Sequence, residues 1–395
     1  RRGALLAAGL MMMFTTTAVG AQTGGDAERI ERLEQEVAAL RAEIAKAAEA
    51  GAESARLAEI ERRIELLAQE LETMKIGEAA AQPNQSDYGM GPAASKIYRT
   101  ERGLSMGGYG EAVYQKFDDE RDNGTASGRL DQADLLRAVL YFGYKWNDRL
   151  LWNAEVEYEH GGEEVGVEFA YLDALYRPQA NLRAGLVLVP MGFVNELHEP
   201  TVFRGVRRPD VERVILPSTW REVGFGLFGD VGPVSYRTYL VNGFDAAGFT
   251  AGGLRGGRQN GGEAKAEDFA WVGRADWHAA PGLLAGGSAY FGNAGQDGVG
   301  GAEVGVQIVE GHVEWKRRGF ELRALAVDAE LDDVAKLNRA LGLSGNRSIS
   351  EKLRGGYVQA GYDFLAGGER SLVPFARWET FDTQARVPAG FVANP

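Results

Sequence analysis

The sequence predicts an all-β transmembrane antiparallel β-barrel that follows an N-terminal α-helical coiled coil. Three observations support this fold class. From residue 104 to residue 395, apolar and polar residues alternate with a period of two, as in strands that have one apolar face. Connections between these strands alternate between short and long, and aromatic residues on the apolar phase lie beside the short ones, as in barrels that cross a membrane.

Composition and charge narrow the class further. The chain has 54 Gly and 12 Pro, which favours one large β-structure over several soluble domains. It has no Cys, so hydrogen bonding between strands must stabilise it instead of disulfides. The formal net charge of −13 argues against nucleic acid as a partner, although a pore could still attract anions through its local field.

The N-terminus predicts secretion. Arg1 and Arg2 precede a short apolar run and then small residues up to Ala21, so residues 1–21 are typical of a signal peptide. The alternative is an uncleaved membrane anchor, which the short apolar core disfavours. We therefore place the barrel in the outer membrane of a bacterial cell.

Residues 26–79 predict a coiled coil that would lie in the periplasm. Apolar residues recur at steps of three and four, as in heptads, and the seam breaks near Gly51. The seam positions are Ile30, Leu33, Val37, Leu40, Ile44, Leu57, Ile60, Ile64, Leu67, Leu71 and Met74. The segment is too polar to fold alone, so we expect it to oligomerise, with dimer and trimer both open; a charged surface helix is the alternative.

Residues 80–103, with Pro83 and Pro92, predict a flexible linker.

The alternating region divides into thirteen strands. We expect them to start near Leu104, Leu136, Trp152, Glu168, Leu182, Val223, Val234, Phe269, Leu283, Gln307, Phe320, Gly356 and Leu372. Bacterial barrels have even strand numbers, because an odd number leaves one edge unpaired in lipid. We therefore expect further strands beyond Pro395: three would give a barrel of sixteen, although one or five would also make the number even.

The connections give the strands a direction. Short ones are expected near Asn147, Pro178, Gly232, Pro281, Arg317 and Gly367, and longer ones at 118–130, 161–166, 190–221, 243–267, 292–302 and 328–354. The aromatic girdle beside the short ones comprises Tyr144, Trp146, Trp152, Tyr176, Trp277, Trp315, Phe320, Tyr362 and Phe364. The short turns therefore mark the periplasmic end.

Arginines lie in mid-strand on the phase opposite the aromatic residues. They are Arg137, Arg183, Arg237, Arg274, Arg323 and Arg377. A charge that faces lipid at mid-depth costs about 2–4 kcal/mol, so this phase faces a wet lumen. Two interpretations stay open: the arginines pair with wall carboxylates and hold the barrel together, or they form a ladder for anions.

The connection over 190–221 is far longer than a hairpin loop. We expect it to fold into the lumen and to line the narrowest part of a pore with Arg204, Arg207, Arg208 and Arg213. Arg suits carboxylates and phosphates because its planar fork binds both oxygens. The alternative is an ordinary extracellular loop whose charges pair with one another.

No pattern in the sequence indicates an enzyme, a metal site or a cofactor. The chain has four histidines, His160, His198, His278 and His312, and none belongs to a GxSxG, HExxH or metal-spaced motif.

Several stretches resemble a known porin family. They are LVPMGFVNELHEP with the arginines that follow it, LPSTWREVGFGLFG, SLVPFARWETFDT and GYVQAGYDF. With the signal peptide and coiled coil, the chain resembles the trimeric sixteen-stranded porins of the phosphate-selective O/P type, and in particular the DcaP-like group. This resemblance implies a homotrimer, passive diffusion and an inward-folded third loop whose arginines correspond to Arg204, Arg207 and Arg208. The phosphate-type members have Lys-rich lumens, whereas this wall mixes Arg with Glu, which favours organic anions or a permissive pore.

The sequence thus predicts a porin for small hydrophilic solutes with a modest preference for anions. Its expected partners are two further copies of the chain, the lipid and lipopolysaccharide of the outer membrane, and peptidoglycan through the coiled coil. The alternative is a structural tether in which the barrel only anchors the arm to the membrane.

Overall fold

The computed structural model describes residues 87–121, 123–366 and 370–393, together with residues 32, 35–40 and 42. Residues 35–40 are helical, and Val37 and Leu40 are buried. The signal peptide, the rest of the coiled coil and residues 80–86 of the linker lie outside the described residues. The coiled coil and its assembly therefore stay predictions.

Within the described residues, thirteen strands form one antiparallel sheet, which confirms the predicted all-β barrel class. The strands are β1 (Gly103–Gln115), β2 (Gln132–Asn147), β3 (Leu150–Glu159), β4 (Glu164–Arg177), β5 (Ala180–Leu188), β6 (Arg221–Val231), β7 (Val234–Asn242), β8 (Phe269–Ala280), β9 (Leu283–Asn293), β10 (Gly305–Arg317), β11 (Phe320–Leu331), β12 (Lys352–Tyr362) and β13 (Phe375–Arg386). Each strand pairs with the next along the chain, so the topology is a continuous up-and-down meander. In the part of the chain that the structure describes, no ladder joins β1 to β13.

The two faces of the sheet differ as the alternation predicts. In β2, Leu140 faces outward with 40% exposure, whereas its neighbour Val139 faces inward with 1%. The girdle residues lie on the outer face near the short turns, and several contact one another, as Phe320 does Tyr362 with ring centroids 4.7 Å apart. Apolar side chains therefore cover the outside of the sheet, whereas charged side chains and buried apolar side chains share the inside.

The predicted lengths of two connections are wrong. The connection between β3 and β4 is short, residues 160–163, because β4 begins at Glu164 and a 3₁₀ turn at His160–Gly162 closes the hairpin. The connection between β12 and β13 is longer than a tight turn, since β12 ends at Tyr362 and β13 begins at Phe375. Asp363 organises it by accepting hydrogen bonds from the backbone N–H groups of Leu365 and Leu372, both at 3.0 Å.

Among the described residues from 87 onward, the α-helices are short. They are α1 (Lys96–Arg99), α2 (Asp210–Val214) and α3 (Val334–Ala340), with α3 in the connection between β11 and β12. Among the described residues, none of the helices combines the length and the apolar character needed to cross a membrane.

Candidate functional site: the lumen and its two inner elements

The connection between β5 and β6, residues 189–220, folds into the lumen; we call it the inner loop. Asn195 closes its base, because its side-chain amide donates to the carbonyls of Val189 at 2.6 Å and Trp220 at 2.7 Å. In return, the Trp220 N–H donates to the Asn195 side chain at 2.6 Å. Trp220 is fully buried and stacks on Phe244, with ring centroids 4.5 Å apart.

Carboxylates of the inner loop attach it to the surrounding wall. Glu196 contacts Arg237 of β7 at 3.0 Å. Glu212 accepts from the Tyr357 hydroxyl of β12 at 2.7 Å and from the Val194 N–H at 2.7 Å. The loop therefore lies on the inner face of the sheet and contacts strands that are far apart in it, as an inward fold requires. That the loop lines the narrowest part of a pore stays a prediction.

His198 and the start of α2 add two more attachments. The His198 ring contacts both carboxylate oxygens of Glu155 in β3 at 3.1 Å. The Val211 N–H, in the first turn of α2, donates to Glu379 of β13 at 2.6 Å. The sheet is curved enough for one loop to contact β3 and β13 together.

All six predicted wall arginines lie on the inner face, and each contacts a carboxylate. The pairs are Arg137 with Glu111 and Glu157, Arg183 with Asp173, Arg237 with Glu196 and Asp276, Arg274 with Asp276, Arg323 with Glu314, and Arg377 with Glu379. The longest of these contacts is 3.5 Å, between Arg377 and Glu379. The contacts match the interpretation in which the arginines hold the wall, and a role as an anion ladder stays a prediction.

The four loop arginines occupy different environments. Arg204 makes a bidentate pair with Glu321 of β11, at 3.1 and 2.6 Å. Arg213 pairs with Asp210 on the surface of α2, where both side chains are half exposed. Arg207 is exposed and has no ion pair within the described residues, and Arg208 donates to the His198 carbonyl at 3.2 Å.

A second element enters the lumen from the N-terminal side. Residues 87–99, which we call the inner segment, belong to the predicted flexible linker, and that prediction is wrong for them. Met90, Ser95 and Ile97 are at most 1% exposed. The Ala93 N–H donates to Glu199 of the inner loop at 3.1 Å, so the two inner elements touch.

A cavity of about 840 Å³ remains between the inner loop, the inner segment and the wall strands β4, β6 and β7 to β12. Among its lining residues, six are carboxylates and six are cations. The carboxylates are Asp87, Glu196, Asp230, Asp276, Glu314 and Glu321, and the cations are Arg99, Arg204, Arg237, Arg274, Lys316 and Arg323. The cavity is therefore rich in charged side chains of both signs and close to neutral in formal charge.

Burial changes the ionisation of the inner loop. It raises the pKa of Glu196 and of Glu212 above the ordinary glutamate range. Burial acts to lower the pKa of His198, but the Glu155 carboxylate outweighs it and the pKa is raised. Burial and the nearby charge of Arg137 lower the pKa of Arg208. Arg208 is thus a largely enclosed cation for which the described residues provide no ion pair.

Sequence reasoning missed the inner segment as a lining element. The missed signal was composition, because the supposed linker contains Tyr88, Met90, Ile97 and Tyr98, and flexible linkers rarely contain such large side chains. In the described residues, no group of three or more His, Cys, Asp or Glu side chains could hold a metal ion.

The fold and the lumen define the class: a transmembrane β-barrel wall with an inward-folded loop. No protein-family model matches the chain. An uncharacterized protein of Aquifex aeolicus strain VF5 is 39% identical over 321 residues, which are 77% of this chain and 72% of that protein. The chain belongs to the same family as that protein.

Solved structures with lower similarity include outer-membrane proteins. The outer membrane channel DcaP of Acinetobacter baumannii is 12% identical with a TM-score of 0.38, over 71% of this chain and 91% of that chain. OpdO of Pseudomonas aeruginosa is 11% identical with a TM-score of 0.37, over 74% and 83%. OmpT of Vibrio cholerae, in a trimer form, is 10% identical with a TM-score of 0.32, over 71% and 89%. At this distance, function has to be inferred from the contacts within the chain itself.

Proposed function

We propose that this protein is an outer-membrane porin that allows passive diffusion of small hydrophilic solutes, with a modest preference for anions such as carboxylates or phosphate. The observation that carries the proposal is the polar cavity of about 840 Å³ inside a wall whose outer face is apolar. Charged groups cannot face lipid without a large cost, so a wall with these two faces separates hydrocarbon from water. A wet lumen lined by charged side chains of both signs is suited to the diffusion of hydrophilic solutes.

The anion preference has its support at the inner loop. The cavity itself is balanced in charge, but Arg207 and Arg208 have no ion pair among the described residues. Arg255 and Arg258, in the connection between β7 and β8, donate to backbone carbonyls of Ser218 and Thr219 at the end of the same loop. Burial lowers the pKa of Arg255, as does nearby Arg208. These neighbouring cations would attract anions at the extracellular mouth.

The assembly that we propose is a homotrimer embedded in the lipid and lipopolysaccharide of the outer membrane. The coiled-coil arm would then extend into the periplasm, within reach of peptidoglycan. Outward-facing apolar side chains such as Phe225, 58% exposed, support contact with lipid or with another copy.

Planar-bilayer recording in a salt gradient tests this function. We expect open channels whose reversal potential indicates anion preference. Replacing Arg204, Arg207 and Arg208 together with Ala should shift the reversal potential toward cation preference, because three positive charges leave the path.

The matched control replaces three exposed arginines of other long connections, Arg121, Arg129 and Arg347, with Ala. This control removes the same charge and should leave the reversal potential unchanged. Absence of channels in the unmodified protein would contradict the porin proposal. Channels whose selectivity responds equally to both triple variants would contradict the role of the loop.

A further inference from the structure

We propose that the inner segment, residues 87–99, is a built-in stopper that fills one side of the lumen and thereby sets the bore of the pore. This inference rests on the proposed porin function. In this role, residues that precede the first strand limit the size of the solutes that pass through the pore.

Burial shows that the inner segment is enclosed by the barrel. Met90 and Ile97 are each 1% exposed, Ala94 is 3% exposed and Ser95 has no exposed surface. The Ser95 hydroxyl donates to the Met90 carbonyl at 3.0 Å and accepts from the Asp87 N–H at 2.9 Å, which closes the segment on itself. A connection that only led to the barrel would lie in solvent.

Tyr98 anchors the segment to the wall. Its hydroxyl donates to Asp173 of β4 at 2.7 Å and accepts from Arg183 of β5 at 2.6 Å. Asp173 and Arg183 themselves pair at 2.9 Å, with 0% and 2% of their side chains exposed. Buried hydrogen bonds to charged groups are among the stronger ones, so this anchor holds the segment firmly.

Two further strands bind the backbone of the segment. The Asn153 amide of β3 donates to the Ala94 carbonyl at 2.9 Å, and the Lys145 ammonium of β2 donates to the Tyr98 carbonyl at 3.1 Å. Four consecutive strands, β2 to β5, therefore contribute a side chain to its binding. Such a set of specific contacts indicates a docking surface built for this segment.

The wall also leaves room for the segment. A Cβ atom on Gly143 of β2 would lie 2.8 Å from Cγ1 of Ile97, closer than real Cβ atoms approach other atoms. Gly143 faces inward between Tyr141 and Lys145, where only glycine allows Ile97 to lie against the backbone.

The opposite side of the segment faces the solute path. Asp87, Tyr88, Pro92 and Arg99 line the cavity, so the segment is also a wall of the pore. Its anchors lie toward the ends of the strands that meet the short turns, away from the extracellular loops. Solutes that pass the inner loop would therefore meet the segment next.

The experiment replaces residues 87–99 of the full-length chain with thirteen Gly and Ser residues. The matched control places the same thirteen residues at 118–130, a mostly exposed stretch between β1 and β2. Both variants are checked for folding by heat-dependent gel mobility and then recorded in planar bilayers. We expect the replaced inner segment to raise conductance roughly twofold or more and to admit larger sugars in liposome swelling, because conduction follows the open cross-section. The control should conduct like the unmodified protein.

A second measurement covers the case in which that variant does not fold. The chain has no Cys, so Tyr88→Cys introduces the only thiol, at a position that lines the cavity. A bulky charged thiol reagent should then reduce the current, whereas the exposed loop variant Ser344→Cys should show no reduction.

Unchanged conductance and sugar cutoff in a folded segment variant would overturn the inference, as would a Tyr88→Cys channel that the reagent reaches but does not block. Both results require that the unmodified protein conducts. Failure of the stopper is therefore distinguishable from failure of the porin function, which would leave no current to modulate.

Discussion

Arg183 shows how a charge is kept inside this barrel. Its guanidinium pairs with Asp173, and it lies over the rings of Tyr171 and Phe228, at 4.0 and 4.7 Å from their centroids. Tyr98 completes the shell from the inner segment. The charge of Arg183 is therefore balanced by side chains of the protein itself, and in this geometry the residue stabilises the fold.

We expect Asp173→Asn to destabilise the folded barrel by about 3 kcal/mol, because removing one partner leaves a buried charge uncompensated. Urea unfolding in detergent or vesicles measures this loss. The control is Asp210→Asn, which removes the half-exposed partner of Arg213 and should cost less than about 1 kcal/mol. Equal losses at the two sites would contradict the view that burial sets the strength of these pairs.

At the scale of the element, the groups that hold the inner loop share one electrostatic property: the pKa of each is raised in the folded protein. Burial raises the pKa of Glu196, Glu199 and Glu212, and Glu155 raises that of His198 against the effect of burial. A group whose pKa is higher in the folded state contributes stability below its unfolded pKa, and this contribution disappears as the pH rises through the folded value. All four groups therefore stabilise the attachment of the loop to the wall more at acidic pH than at alkaline pH.

The pH dependence of His198 can be isolated by substitution. His198→Gln should lower the free energy of unfolding by roughly 1 kcal/mol near pH 6, and this difference should shrink toward pH 9, because an unfolded histidine titrates near 6.5. Parallel denaturant titrations at several pH values measure it. Glu155→Gln removes the partner in β3 and should abolish the same pH-dependent difference; a difference that grows with pH would refute the assignment.

At the scale of the whole molecule, the sheet separates two environments. Leu140, Leu182, Phe225, Leu227, Trp271 and Phe291 are each at least 40% exposed on the outer face. Such a large apolar surface is unfavourable in water and is matched by lipid or by another copy of the chain. The inner face contains the ion pairs, both inner elements and the cavity.

Leu140→Arg should destabilise the barrel in phospholipid vesicles by about 2–4 kcal/mol, because it places a charge on the outer face within the strand. The same change at Leu130, an 81% exposed loop residue, should have little effect. Reversible unfolding from vesicles provides the measurement. A tolerated arginine at Leu140 would mean that this face does not contact hydrocarbon.

The face of the sheet on which each side chain lies could be predicted, because successive side chains in a strand point to opposite faces. The alternation of neighbouring residues was therefore enough to place Leu140 outside and Val139 inside. The partners of Arg237 could not, since Glu196 comes from the inner loop and Asp276 from β8. The inner segment was missed for a related reason. Pro83, Pro92 and several small residues favour a loop, but they do not reveal that the barrel offers this loop a binding surface.

The sequence by itself determined the thirteen strands of the described sheet, the identity of their two faces, the aromatic girdle and the unusual length of the inner loop. These features follow from chain geometry between near neighbours and from the cost of placing charge in lipid. Only the tertiary structure decided which charges pair and how the lumen is divided. Tyr98 and Asp173 are 75 residues apart in sequence, and Arg204 and Glu321 are 117 apart. Contacts of this kind depend on which distant side chains are buried together, and no local pattern of residues encodes that.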